Sequence, residues 1–170
     1  MRETLLAVAG EGLFVPLWSD RLLEEWARAA ARRGPGDEAL ARGDIARART
    51  RFPAASVAVP EGVERRFWLP DPADIHVLAA AVTSSADGIV TLNARDFPRN
   101  ILAEEGLERH DPDTLLRGFL DADPAPVTRA AEAVLGEANR LSPEPWTMRA
   151  LMKKARLPRF GKALEARAAD

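Results

Sequence analysis

Two aspartates stand where this chain could hold a divalent cation. Leu69-Pro70-Asp71-Pro72-Ala73-Asp74-Ile75-His76-Val77-Leu78-Ala79-Ala80-Ala81 places Asp74 at the start of an apolar helix, and Ile89-Val90-Thr91-Leu92-Asn93-Ala94-Arg95-Asp96-Phe97-Pro98 places Asp96 just past an apolar strand. Helix N-termini and the carboxyl ends of parallel strands gather at one edge of an α/β sheet, so the two acids can converge there. Carboxylate oxygens are the ligands that hard cations such as Mg²⁺ and Mn²⁺ prefer.

Each of these residues also has a purely structural use. Asp74 as an N-cap would stabilise its helix by about 1 kcal/mol. Asp71, preceding Pro72, suits a turn or a cap better than a ligand. His76 lies two residues past Asp74 and faces away from it on a helix, as a hydrogen-bonded or surface histidine would. His110 ends a short strand, Asp87 sits in a turn at the far end of the sheet, and neither is assigned chemistry. Trp18, Trp26, Phe67 and Trp68 read as core and rim packing, although an aromatic ring near the site could stack on a base.

The elements that must position these acids alternate between helix and strand. Glu3–Ala9 forms a helix stopped by Gly10 and Gly12, and Leu13–Trp18 is a strand whose Pro16 marks an edge or an end. Ser19 caps a helix running to Arg33, the Gly34-Pro35-Gly36 break follows, and a further helix spans Asp37 to about Arg49. Ser56–Val59 is a weak strand. Asp74–Thr83 is apolar nearly all round, which marks a buried helix, and Gly88–Asn93 is the continuous apolar run of a strand covered on both faces. A helix over Arg99–Glu105, a strand over Leu107–His110 and a helix begun by Asp111-Pro112 and running to Leu120 complete an α/β unit with a mostly parallel sheet. From Asp123 onward only helices are expected: Val127–Leu141, Thr147–Ala155 and Arg159–Ala168.

Composition limits the function classes. The 170 residues are 46% hydrophobic and 29% charged with a net charge of −2, which supports one packed domain plus a helical appendage and supplies no global basic field. Cysteine is absent, so disulfides, zinc–thiolate sites and cysteine nucleophiles are excluded. No apolar run reaches the roughly 20 residues of a membrane helix, and a cytoplasmic protein is expected.

The combination L-P-D-P-x-D-x-H-V-L-A-A-A, then I-V-T-L-N-A-R-D-F-P, then a short strand and a D-P-D-x-L-L helix resembles the PIN-domain family of metal-dependent ribonucleases, many of them toxins of bacterial toxin–antitoxin pairs. The resemblance runs from near Leu5 to about Leu120. It implies a three-layer α/β/α fold over residues 1–122 with a C-terminal helical extension over 123–170. It implies a site of four acids, of which the second falls on Glu25 in Leu22-Leu23-Glu24-Glu25-Trp26, the third on Asp74 and the fourth on Asp96. Glu24 is the rival of Glu25 for an inward role. Asn93 would orient a metal-bound water or a phosphate, and Asp71 would support the cluster. Phosphodiester hydrolysis needs hard cations to activate water and to neutralise developing charge, so Mg²⁺ or Mn²⁺ is the implied cofactor.

The family's first acid sits on an opening strand that this chain does not show before the helix holding Leu5 and Leu6. Either Met1 is an internal methionine or the strand was lost. A cluster short of one acid binds cations more weakly, so hydrolysis is not the favoured expectation for this chain as given. The strands at Leu13–Trp18 and Gly88–Asn93 are then expected to pair with each other or to recruit a strand from a second copy, making a homodimer. Lys153, Lys154, Arg156 and Arg159, with Arg149, Lys162 and Arg167, form a basic stretch that either contacts RNA phosphates or is the solvated face of a packed helical hairpin. The leading expectation is a ribonuclease toxin with RNA and an antitoxin as partners; the competing one is an RNA- or protein-binding module that cuts nothing.

Overall fold

The computed structural model describes residues 1–34 and 36–168, so Pro35 of the expected break and the last two residues of the helical extension lie outside the described residues. The chain forms two compact units. One is Pro16–Arg109, and the other joins Met1–Val15 to His110–Asp170.

In the Pro16–Arg109 unit, strand β1 is only Trp18–Ser19 and pairs in parallel with β2, Ser56–Val57. The expected strand over Leu13–Trp18 is cut short because Pro16 has no N–H to give a ladder. Helix α2, Asp20–Ala31, starts as read: the Ser19 hydroxyl accepts the Leu22 N–H at 3.2 Å. Helix α3, Asp37–Arg51, lies along it, with Arg42 forked onto Glu24 at 3.0 and 3.1 Å and Arg49 paired with Asp20. Exposed pairs of this kind contribute little in water, so they tune the hairpin that apolar Leu23, Ala27, Ala41 and Ile45 hold together.

A 3₁₀ turn at Pro72–Asp74 leads into helix α4, Ile75–Thr83, whose His76, Leu78, Ala79, Ala80 and Ala81 are buried. This is the buried helix that its all-round apolar sequence indicates. Strand β3, Gly88–Val90, pairs with β4, Glu108–His110, and helix α5, Arg99–Glu104, lies between them in sequence. Phe67, Leu69, Leu78, Ile89, Phe97, Leu102 and Leu107 form the core of this unit. The sheet consists of two separate two-stranded pieces, β1–β2 and β3–β4, so the expected pairing of the first strand with β3 is not formed among the described residues. The architecture is nonetheless the expected mixture of helices and short parallel strands followed by helices alone.

The other unit is helical. Helices α1 (Arg2–Gly10), α6 (Pro112–Ala122), α7 (Pro124–Leu141), α8 (Met148–Lys154) and α9 (Pro158–Ala168) enclose Val8, Leu116, Leu120, Val127, Met152, Leu157, Phe160 and Leu164. Asp111 caps α6 as its Asp-Pro sequence indicates, accepting the Thr114 N–H at 2.9 Å. Gly161 sits where a Cβ would meet Met152 Cβ at 2.7 Å, so α8 and α9 approach as closely as they do only because that residue has no side chain.

Candidate metal centre

Asp74 is the residue on which the centre is built. It ends the 3₁₀ turn and immediately precedes α4, but its carboxylate makes no capping bond. The Asp74 N–H is already donated to the Asp71 carbonyl at 3.1 Å. The purely capping use of Asp74 is therefore not what its side chain does. Asp71 carries the cap of that turn instead, with Oδ1 accepting the Ala73 N–H at 2.9 Å, and Pro72 follows at the first turn position, where the missing N–H costs nothing.

Asp96 lies in the loop that follows β3. Asn93 holds it from both sides: Asn93 Nδ2 donates to Asp96 Oδ2 at 2.6 Å, and Asn93 Oδ1 accepts the Asp96 N–H at 3.3 Å. Asn93 is in turn fixed by its own N–H on Thr91 Oγ1 at 2.9 Å. Asn93 is expected from the resemblance to orient a metal-bound water or a phosphate; the contacts it makes here are to the carboxylate and N–H of Asp96.

Asp71, Asp74 and Asp96 each offer a carboxylate oxygen within 4.8 Å of the others. Three negative charges at that separation repel, and the repulsion is visible at Asp74. Its pKa is raised above the ordinary carboxylate value, first by burial and then by the charges of Asp71 and Asp96, with Glu25 adding to them and His76 opposing them. A cluster that is costly in its ionised form is one that a hard cation stabilises. All-oxygen donors at this spacing fit Mg²⁺ or Mn²⁺, which accept carboxylates alongside water.

Glu25 is not among the acids at that mutual distance. Its Oε2 meets His76 Nε2 at 3.1 Å and its Oε1 accepts from Arg21 Nε at 3.3 Å, while Arg21 also reaches Glu64 at 3.3 Å. Of the three acids expected to share an ion, the structure brings Asp74 and Asp96 together, adds Asp71, and keeps Glu25 in an ion-pair network that acts on Asp74 through charge. Glu24 points its carboxylate at Arg42 and Arg28 and takes no part. His76 is 2% exposed and hydrogen-bonded, so it ties α4 to α2; its Nδ1 has no hydrogen-bond partner among the described residues.

A family model described as PIN domain matches residues 2–95, more than half of the chain. The chain belongs to the PIN-domain family. PIN domains are nucleases, often toxins, and typically use a divalent metal. The matched span contains Glu25, Asp71, Asp74 and Asn93 of this PIN domain and stops one residue before Asp96. No curated protein and no solved structure matches the chain.

Asp71 is expected from its own sequence context to serve a turn or cap and from the resemblance to support the cluster, and its carboxylate both caps the turn and lies within 4.8 Å of Asp74 and Asp96. The available signal was the i, i+3 spacing of Asp71 and Asp74 across a proline. Trp68 departs from the packing expected of it, being 66% exposed three residues before Asp71, whereas Trp18 and Phe67 are buried. In the basic C-terminal stretch, Arg149 pairs with Glu165 and Lys154 lies 4.8 Å from the Trp146 ring centroid. Lys153, Arg156, Arg159 and Lys162 are exposed. Leu151, Met152, Leu157, Phe160 and Leu164 pack as expected of a helical hairpin. No described helix is long and apolar enough to cross a membrane.

Proposed function

We propose that this PIN domain is a Mg²⁺- or Mn²⁺-dependent endoribonuclease, acting as the toxin of a toxin–antitoxin pair, with the cation held by Asp74 and Asp96 together with Asp71. The observation that carries the reading is the convergence of these three carboxylates, two of them from the motifs that resemble the family, at a site where burial and the neighbouring charges raise the pKa of Asp74. A bound cation would supply water activation and neutralise charge on the phosphate oxygens. Asn93 restrains Asp96, and His76 and Glu25 add smaller, opposed charge effects at Asp74 beside those of Asp71 and Asp96. Trp68 offers a ring on which an unpaired base could stack, and the exposed cations Lys153, Lys154, Arg156 and Arg159 suit contacts to RNA phosphates. An antitoxin, a second copy in a homodimer and a cytoplasmic location belong to this reading.

One observation favours a second reading, a metal-poor module that binds RNA or protein without cutting: Glu25 is engaged by Arg21 and His76 and does not join the three aspartates. Incubation of RNA with the purified chain separates the two. The nuclease reading predicts cleavage that needs Mn²⁺ or Mg²⁺, stops with EDTA and is lost in Asp96→Asn. RNA retained intact by a protein that binds it equally well with EDTA present supports the module.

A further inference from the structure

Arg109 on β4 reaches the loop that carries Asp96 and donates to two of its carbonyls. Its Nη1 lies 2.8 Å from the Ala94 oxygen and 3.0 Å from the Phe97 oxygen. These carbonyls bracket Arg95 and Asp96, so a single amino group of the guanidinium closes the loop on its backbone while Asn93 tethers the Asp96 carboxylate. Phe97 is 4% exposed, so its backbone is drawn into the core and its carbonyl needs a protein partner. Charge-assisted bonds of this kind are roughly twice as strong as neutral ones, which suits a brace in a short irregular segment.

We propose that Arg109 is a positioning residue for the candidate cation site: by holding the Ala94 and Phe97 carbonyls it fixes the loop that aims Asp96 at Asp71 and Asp74. The inference rests on the metal-site reading above and deepens it. Three acids within 4.8 Å of one another repel, and without a brace the loop relaxes outward to separate them. Asn93 alone does not prevent this, because it sits in the same loop and moves with it. Arg109 anchors the loop to a different element, the strand that pairs with β3.

Two readouts on the full chain test this. The first is amide hydrogen exchange in metal-free protein at Ala94 and Asp96, whose N–H groups bond to the Leu92 carbonyl and to Asn93 Oδ1. Arg109→Ala is expected to speed exchange there while leaving the amides of α2 and α3 unchanged. Arg109→Lys retains a cationic donor, keeps the fold if Arg109→Ala does not, and is expected to restore most of the protection. The second readout is Mn²⁺ affinity by calorimetry. Groups that orient metal ligands from behind typically cost about 10–100-fold in affinity when removed, and Arg109→Ala is expected in that range with Arg109→Lys intermediate. Arg47→Ala on α3 serves as a control with wild-type affinity. Unchanged exchange in both variants overturns the brace. Faster exchange with unchanged Mn²⁺ affinity overturns the positioning role and leaves a local structural one. A wild-type chain that binds no Mn²⁺ overturns the metal-site reading and the positioning role with it, while the exchange data still decide whether the brace exists.

Discussion

Two aspartates, Asp113 and Asp74, sit in partly or fully buried surroundings and have opposite fates. Asp113 on α6 is 6% exposed, and both of its oxygens are taken: Oδ2 accepts the Arg159 N–H at 3.0 Å and Oδ1 accepts the Phe160 N–H at 2.8 Å. It satisfies the first free amides of α9 from 46 residues away. Asp74 is only half-buried, makes no capping bond and faces two other carboxylates. A buried acid whose oxygens are both saturated by backbone is a fastener. An acid crowded by like charges, with its oxygens uncommitted, is available for a ligand.

The largest effect that sharpens this contrast is expected at the fastener. Asp113→Ala leaves two amides at the start of α9 unsatisfied in a closed corner, and urea denaturation should show a loss of about 2–4 kcal/mol. Gly161→Ala tests whether that corner is packed as tightly as its geometry states. An alanine normally favours a helix over glycine by about 1 kcal/mol, but here its Cβ overlaps Met152, and a net loss of about 1–3 kcal/mol is expected in the same measurement. A gain would show that α8 and α9 yield readily.

Asp74→Asn should have the opposite sign from Asp113→Ala. In metal-free protein the ionised Asp74 is disfavoured by burial and by Asp71 and Asp96, so the neutral amide is expected to raise the melting temperature at pH 7 by roughly 1–3 °C, the scale of a fraction of a kcal/mol in a chain of this size. A carboxyl whose pKa is raised on folding takes up a proton as the chain folds. Wild-type stability therefore falls as pH rises from the ordinary carboxylate range through the raised value, and the Asn variant lacks this dependence. The difference in melting temperature between them should open over that window and close below it. A pH-independent difference would mean that Asp74 is not electrostatically crowded.

Local signals were legible in the sequence and long-range polar ones were not. The caps at Ser19 and Asp111 each accept the expected backbone N–H, because a cap and its target lie within three residues. The buried helix α4 followed from its unbroken apolar run, and the pairing of Asp74 with Asp96 followed from motif positions. Strand lengths were overestimated at Leu13–Trp18 and Gly88–Asn93, where apolar character persists past the residues that have a ladder partner. The Glu25–His76 bond, the Arg109 brace and the Asp113 fastener join residues 12 to 51 positions apart, and no period or local spacing encodes such pairs. Asp71 was legible as a turn residue and, through the resemblance, as a support of the cluster; that one carboxylate serves both uses was not legible.

The central claim is that Asp71, Asp74 and Asp96 share one divalent cation, and Mn²⁺ titration calorimetry on the metal-free chain tests it most directly. The structure predicts a single saturable site that disappears in Asp74→Asn and in Asp96→Asn, while Asp87→Asn, which is not one of the clustered acids, binds as the wild type does. Binding that survives both cluster substitutions, or a wild-type chain that takes up no Mn²⁺, would contradict it.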